Sequence, residues 1–474
     1  MASNNEIKFG TDGWRGIIAW DFTFQNVRIA AQAIADHIRE DNPRPSDSEK
    51  YRVFIGYDRR FDSDLFAAEI AHILRANRIG VALSDRPVPT PAASLLTLKE
   101  YDLAVMVTAS HNAAHYNGVK IKVEGRSAPD ALTGGIERMA GKNPPAPVKA
   151  ESLPAVNGLK PYVSYVRSRF DVKKLSASMK IPVVADYMHG SAAGILEELI
   201  PSKKLVTLHA GHDPLFGGVA PEPVDKNLAD LKKAVKENKA AAGLALDGDG
   251  DRLGVIDDTG RYLTPCQAFA LMLEYLAGRQ KKKGKIVQAV SLGYLSKRVA
   301  QAYKLPFEEV PVGFKYAAEK MLAEDVLAGA EESGGYAWKG AFADRDGVMS
   351  ALLFIQMLQE TGKPLSVLLA DLEKKYGKSV FLRRDFPLKT PVADKVVFAE
   401  KIAKKLPKKI CGQPIAETTV KDGLKITLAD GSWVLLRPSG TEPLLRLYAE
   451  SPAKASTEAL LDFAEKPVTK FITG

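Results

Sequence analysis

Cysteine is nearly absent: Cys266 and Cys411 are the only two in 474 residues, far apart and without metal-ligand spacing. A disulfide framework is therefore excluded as the main source of stability, and the usage fits a reducing, cytoplasmic setting. Long apolar runs are missing as well. The stretch from Met349 to Leu358 is broken by Ser350 and Gln356 and falls far short of the ~20 residues of a membrane helix. No membrane partner is expected. The opening Met1-Ala2-Ser3-Asn4-Asn5-Glu6 lacks the basic start and apolar stretch of a secretion signal. Net charge is +9, but no aromatic-interleaved basic stripe goes with it. The lysines are scattered, and runs such as Lys281-Lys282-Lys283 and Lys404-Lys405 read as solvated faces. A phosphorylated small molecule is thus favoured over nucleic acid as the partner. Two motifs are missing. Thr108 and Asn112 stand where a hydrolase elbow around Ser110 needs glycine, and there is no Walker-type glycine-lysine-threonine loop. A serine esterase of the first kind and an ATP-driven kinase of the second are poor readings.

What is present is a globular composition, 46% hydrophobic and 26% charged, on a chain long enough for two to four domains. Val27, Ala30, Ala31, Ile34 and Ile38 recur at helical spacing. A strand over Arg52–Tyr57 and a helix from about Asp64 to Ala76 follow, and such alternation predicts an α/β domain. Lys142 to Pro147 is a proline-rich break. A second α/β unit begins near Pro161, with a strand at Ile181 to Asp186 and a helix face of Leu228, Leu231 and Val235. A third begins near Asp258, with a strand at Lys285 to Val290 and an apolar helix from Val348 to Leu358. From about Tyr376 the pattern changes. Strand-like runs flank the turn signal Asp430-Gly431, predicting a hairpin in an α+β module.

The residue types that carry chemistry fall in a few stretches. Leu103 to Val107 reads as a buried strand delivering Thr108-Ala109-Ser110-His111-Asn112, so that Ser110 stands on a rigid support. Asp247, Asp249 and Asp251 alternate with glycines between apolar strands. Extended or looped, three carboxylates converge there, and their repulsion calls for a cation; oxygen ligands select Mg²⁺ or Ca²⁺. A calcium loop counted from Asp247 finds Asp258 at its twelfth position but Arg252 where glycine is needed, which favours Mg²⁺. Lys8 to Gly16 holds three glycines and Arg15, either a surface turn or a loop that brings a permanent cation to phosphate. Arg437-Pro438-Ser439-Gly440-Thr441, with Arg446 nearby, is either a plain turn or a phosphate nest. Glu331 and Ser333 offer hydrogen bonds to sugar hydroxyls.

Taken together and in order, these stretches resemble the α-D-phosphohexomutase family, the phosphoglucomutases and phosphomannomutases, over nearly the whole chain. The resemblance implies an α/β, four-domain architecture around a central cleft. Three related α/β domains carry the phosphoserine loop (1–150), the metal-binding loop (151–257) and the sugar-binding loop (258–375), and a C-terminal α+β domain (376–474) carries the phosphate-binding loop. It implies that phosphorylated Ser110 gives its phosphoryl group to a hexose monophosphate, that the bisphosphorylated sugar turns end for end, and that Ser110 is rephosphorylated from the other end. Mg²⁺ would be held by Asp247, Asp249, Asp251 and a phosphoryl oxygen on Ser110. Lys120, in Tyr116-Asn117-Gly118-Val119-Lys120, would be the first choice for general acid/base, with neighbouring cations expected to lower its pKa. Arg15, His111 and Arg252 would support the site. Lys315, Arg437, Ser439, Gly440, Thr441 and Arg446 would hold the remote phosphate. A bisphosphorylated sugar would act as activator, and the chain would be a monomer or homodimer. Two departures stand out: Ala113 where many members have proline, and Gly335 where mannose- and glucosamine-type members have histidine. The latter points to glucose 1-phosphate and glucose 6-phosphate as the substrate pair. The alternatives are a phosphomannomutase or bifunctional enzyme, and a phosphosugar-binding regulator without catalysis, against which Ser110, the aspartates and Lys120 argue.

Overall fold

The computed structural model describes residues 7–10, 12–41, 50–148, 152–388, 390, 392, 394–439 and 443–473, without the side chains of 467–473. The chain divides into two compact units, Met1–Tyr262 with Gly335–Leu365, and Leu263–Gly334 with Ser366–Gly474.

The first unit is built on two sheets. One contains β1 (Trp14–Ile17), β2 (Arg52–Tyr57), β3 (Gly80–Ser84), β4 (Leu103–Val107) and β5 (Tyr116–Val123), in the order β1-β5-β4-β2-β3. β2 runs parallel to β3 and β4, whereas β5 is antiparallel to both β4 and β1. Helices α1 (Phe24–Asp41) and α2 (Ser63–Ala76) cover it. The apolar positions of α1, Val27, Ala30, Ala31, Ile34 and Ile38, are all buried in one core with Val53, Ile55, Val105 and Val107, so the helical period becomes the face that meets the sheet. β4 is buried along its whole length, which explains its unbroken apolar run.

The second sheet of this unit has β6 (Val183–Asp186), β7 (Leu205–Leu208), β8 (Ala242–Leu246) and β9 (Leu253–Asp257) in the order β9-β8-β6-β7. β8 is parallel to β6 and antiparallel to β9, pairing out to Leu246 opposite Leu253. Residues 247–252 are thus the loop of a hairpin whose two strands are wholly buried. Helix α3 (Gly347–Thr361) packs on β8 and β9, and the Gly347 N–H donates to the Gly250 carbonyl at 3.0 Å.

The second unit carries parallel strands β10 (Lys285–Ala289), β11 (Phe307–Val310) and β12 (Val326–Ala330) in the order β11-β10-β12. Its other sheet is antiparallel, with β13 (Val380–Pro387), β14 (Gln413–Thr419), β15 (Leu424–Leu428), β16 (Trp433–Pro438) and β17 (Leu444–Ser451) in the order β13-β17-β16-β15-β14. The hairpin expected around Asp430-Gly431 is β15–β16. Glu450, fully buried, accepts from the Tyr294 N–H at 2.7 Å and Trp433 Nε1 at 2.8 Å, joining the two parts of this unit. Among the described residues no helix is long and apolar enough to cross a membrane.

Candidate active site

β4 ends at Val107, opposite Val119 of β5, and the Thr108 N–H donates to the Gly118 carbonyl at 2.9 Å. The intervening loop lifts Ser110 off the sheet edge. The same register sets Lys120 opposite Met106, while β1 lays Arg15 opposite Gly118. Ser110 is fully buried with φ of 54°, a left-handed conformation uncommon outside glycine. Its Oγ donates to Asp247 Oδ2 at 2.9 Å. The serine loop and the aspartate loop, 137 residues apart, therefore meet.

Asp247, Asp249 and Asp251 are all buried and offer ligand oxygens within 4.8 Å of one another. Asp249 Oδ1 and Asp251 Oδ1 are buried without a hydrogen-bond partner. Such oxygens are costly, and clustered carboxylates repel. Burial, reinforced by the charges of Asp249 and Asp251, holds the Asp247 carboxyl well above its ordinary range. A hard cation answers both the missing donors and the repulsion, so the residues fit a divalent ion.

Lys120 Nζ lies 2.7 Å from Asp249 Oδ2, 3.0 Å from Asp251 Oδ2 and 2.8 Å from Asp12 Oδ2. Burial works against its charge, but Asp12, Asp249 and Asp251 outweigh burial and hold the ammonium above the ordinary lysine range. The expectation of a lowered pKa is corrected. Neighbouring cations are the expected influence, whereas in the fold its nearest partners are carboxylates. Burial raises Asp249 in turn, yet Lys120 and Thr90 overcome it and hold that carboxyl below its usual range; Thr90 Oγ1 donates at 2.5 Å.

His111 is mostly buried. Burial first, then Arg252, Arg15 and Lys120, push its imidazole well below the usual histidine range. Arg15 Nη1 donates to Asn112 Oδ1 at 2.6 Å, fixing the glycine-rich segment against the serine loop. The Arg252 N–H donates to Asp247 Oδ1 at 3.1 Å, and its Nε stands 3.8 Å from Asp251 Oδ1.

Three members of this cluster were missed in the sequence. Asp12 sits in the glycine-rich stretch, where Arg15 is the more conspicuous candidate. Thr90 follows Val88-Pro89 with no motif of its own. Arg345, in Asp344-Arg345-Asp346, donates from Nη2 to Asp12 Oδ2 at 2.6 Å and to Asp251 Oδ2 at 2.7 Å. An arginine between two aspartates reads as a solvated turn until the fold shows it buried.

The remaining predicted residues belong to the second unit. Glu331 is buried and accepts from Ser333 Oγ at 2.6 Å. Lys315 is half-buried at the start of the helix Phe314–Ala323. Arg437 Nε donates to Asp422 Oδ2 at 2.6 Å, and Arg437 and Arg446 face each other across β16 and β17. Like charges directly opposite repel, and carboxylates accompany this pair: Asp422 on Arg437, and Asp385 opposite Arg446 across β13 and β17. Ser439 is buried, and its N–H donates to the Leu444 carbonyl at 2.7 Å. Gly440 and Thr441 lie outside the described residues.

Comparison with known proteins bears on this arrangement. Family models described as phosphoglucomutase/phosphomannomutase alpha/beta/alpha domain I, domain II and domain III match residues 6–146, 160–260 and 264–376, and the C-terminal domain of the same family matches 388–466. A "Phosphoglucomutase/phosphomannomutase" of Thermococcus kodakarensis is 28% identical over 98% of this chain and 99% of that protein. A "Phosphoglucosamine/phosphogalactosamine mutase" of Sulfurisphaera tokodaii is 29% identical over 97% and 98%. A crystal structure from Thermus thermophilus superposes with a TM-score of 0.84 at 28% identity, covering 98% of this chain and 99% of that one. The four domains thus occur together, in order, on a chain that seats a serine hydroxyl against one aspartate of a three-carboxylate cluster, and the protein belongs to the phosphoglucomutase/phosphomannomutase family: it is a phosphohexomutase, an isomerase-class phosphotransferase.

Proposed function

We propose that this enzyme moves a phosphoryl group between C1 and C6 of a hexose phosphate, with Ser110 as the carrier and glucose 1-phosphate and glucose 6-phosphate as the preferred pair. The observation that carries the reading is the 2.9 Å approach of Ser110 Oγ to Asp247 in a carboxylate cluster suited to a hard cation. Phosphorylated Ser110 loses its Oγ–phosphorus bond as a sugar hydroxyl oxygen bonds to phosphorus; the hydroxyl proton passes to the enzyme, and the departing Ser110 Oγ takes up a proton to become the free hydroxyl. The same step in reverse, from the other end of the bisphosphorylated sugar, restores phosphoserine and frees the isomeric monophosphate. Asp247, Asp249 and Asp251 would hold Mg²⁺, which when bound neutralises charge on the phosphoryl oxygens. Lys120 is the proposed acid/base residue: its carboxylate cage keeps it protonated and holds that proton tightly, so it enters the transfer as the charged acid. His111, held neutral by burial and nearby cations, supports the site without adding charge to it. Arg15 and Arg252 complement phosphoryl charge. Glu331 and Ser333 bind sugar hydroxyls, and Lys315, Arg437, Ser439, Gly440, Thr441 and Arg446 bind the phosphate not in transfer, which fixes the sugar for attack. The four-domain division at 1–150, 151–257, 258–375 and 376–474, a cytoplasmic setting and a hexose bisphosphate activator belong to the same reading.

The choice of glucose rests on the loop form Glu331-Glu332-Ser333-Gly334-Gly335. A second reading, an amino-sugar phosphate, is favoured by relatives named phosphoglucosamine mutases. One coupled assay comparing the 1-phosphates of glucose, mannose, glucosamine and N-acetylglucosamine separates them. The highest kcat/KM should fall to glucose 1-phosphate, and a preference for an amino sugar would overturn the glucose assignment while leaving the mutase chemistry standing.

A further inference from the structure

Arg60 follows β2 in Asp58-Arg59-Arg60 and is buried, as is Asp58. Every N–H of its guanidinium is in use. Nε donates to Asp58 Oδ2 at 3.1 Å. Nη2 donates to the carbonyls of Ser110 and Asn112, both at 2.6 Å, and Nη1 to those of Ala113 at 2.9 Å and Tyr116 at 3.0 Å. A planar fork with five donors matches this loop as no lysine can. With no donor left, Arg60 has nothing to offer a substrate phosphate. Its face is covered by Phe216, whose ring centroid lies 4.9 Å from Cζ.

The partner completes the grip. Asp58 Oδ2 also accepts from Thr108 Oγ1 at 2.6 Å, and Thr108 Oγ1 in turn accepts from the Ser110 N–H at 2.8 Å. The Asp58–Arg60 pair therefore holds the N–H of Ser110 through Thr108 and the C=O of Ser110 directly. These are the two peptide groups that decide where Oγ points. A serine in the left-handed region is strained and stays there only if its surroundings over-determine it.

We propose that Arg60, with Asp58, is the positioning residue of the phosphoryl-transfer step: it clamps the Ser110 peptide in its left-handed conformation so that Oγ faces the aspartate loop. The inference rests on the reading of Ser110 as phosphoryl carrier. It does not follow from burial alone, because a core arginine that only stabilises the fold need not commit four N–H bonds to one loop.

The test is Arg60→Lys, which keeps the charge and removes the fork, with Thr108→Val as a milder second variant that cuts the link from Asp58 to the Ser110 N–H. Thermal melting, kcat, KM and Ser110 phosphorylation from glucose 1,6-bisphosphate, read by intact mass, are measured on each folded protein. A misplacement of the nucleophile predicts kcat lowered about 100-fold in Arg60→Lys with KM unchanged, and phosphorylation slowed in parallel. Thr108→Val should show a smaller fall of the same kind and answers the question alone if Arg60→Lys does not fold. A folded variant with wild-type kcat and phosphorylation rate overturns the clamp. If the wild type itself neither takes up phosphate at Ser110 nor converts any hexose phosphate, the mutase reading falls and the clamp with it, so the two failures are told apart by the wild-type lane.

Discussion

Gly248 carries no side chain because none fits. A Cβ there would stand 2.5 Å from the Ser110 carbonyl oxygen and 3.1 Å from Pro221 Cγ. The glycines between the aspartates thus do more than turn the chain: this one lets the aspartate loop lie directly on the serine loop. Gly248→Ala must push the two loops apart by a few tenths of an ångström or more. The expected outcome is a fall in kcat of about tenfold or greater, equivalent to roughly 1.4 kcal/mol of barrier, together with weaker Mg²⁺ binding in a calorimetric titration. Unchanged kcat and unchanged Mg²⁺ affinity would show that the close approach has no bearing on the chemistry. Lys120 carries the opposite lesson. Neighbouring cations are expected to lower its pKa, yet its protonation follows Asp12, Asp249 and Asp251, because pKa depends on which charges the fold brings within a few ångströms.

Among elements, the legible ones were those with an unbroken pattern. The period of α1, the buried run of β4 and the turn signal of the β15–β16 hairpin all became the predicted structures. The contents of the site were legible where residue types repeat in a short span, as in Asp247, Asp249 and Asp251. Thr90, Arg345 and Arg60 were not, since each acts through contacts with residues far away in sequence and has no local pattern of its own. Helix α3 shows the cost of such placement. Asp346 caps it, accepting from the Met349 N–H at 2.8 Å and from Tyr162 Oη at 2.9 Å, yet is wholly buried. Burial outweighs these donors and pushes its carboxyl up to about 7. The folded state then holds a proton that the unfolded chain, with an ordinary aspartate near 3.8, has released. Stability from this group is full below pH ~4 and is lost as pH rises to ~7, on the order of 4 kcal/mol in all. Asp346→Asn keeps the cap and removes the titration. Urea midpoints measured across this range should fall with pH more steeply in the wild type than in the variant, and parallel curves would refute the assignment.

At the scale of the whole molecule, the proposed chemistry and the proposed substrate hold fall on different stretches of the chain. The groups around Ser110 belong to one compact unit, and the facing arginines of β16 and β17 belong to the other. Arg446→Met removes one of two opposed charges from the proposed remote-phosphate site without touching Ser110. KM for the hexose phosphate should rise about tenfold or more while Ser110 phosphorylation remains saturable; an unchanged KM would remove β16 and β17 from substrate binding. The most direct test concerns the carrier itself. Wild type and Ser110→Ala are incubated with glucose 1,6-bisphosphate and Mg²⁺, and intact mass is read beside turnover. The account predicts one added phosphoryl group on the wild type, none on the folded variant, and turnover lost with it; a Ser110→Ala protein that still turns over hexose phosphate at the wild-type rate would contradict it.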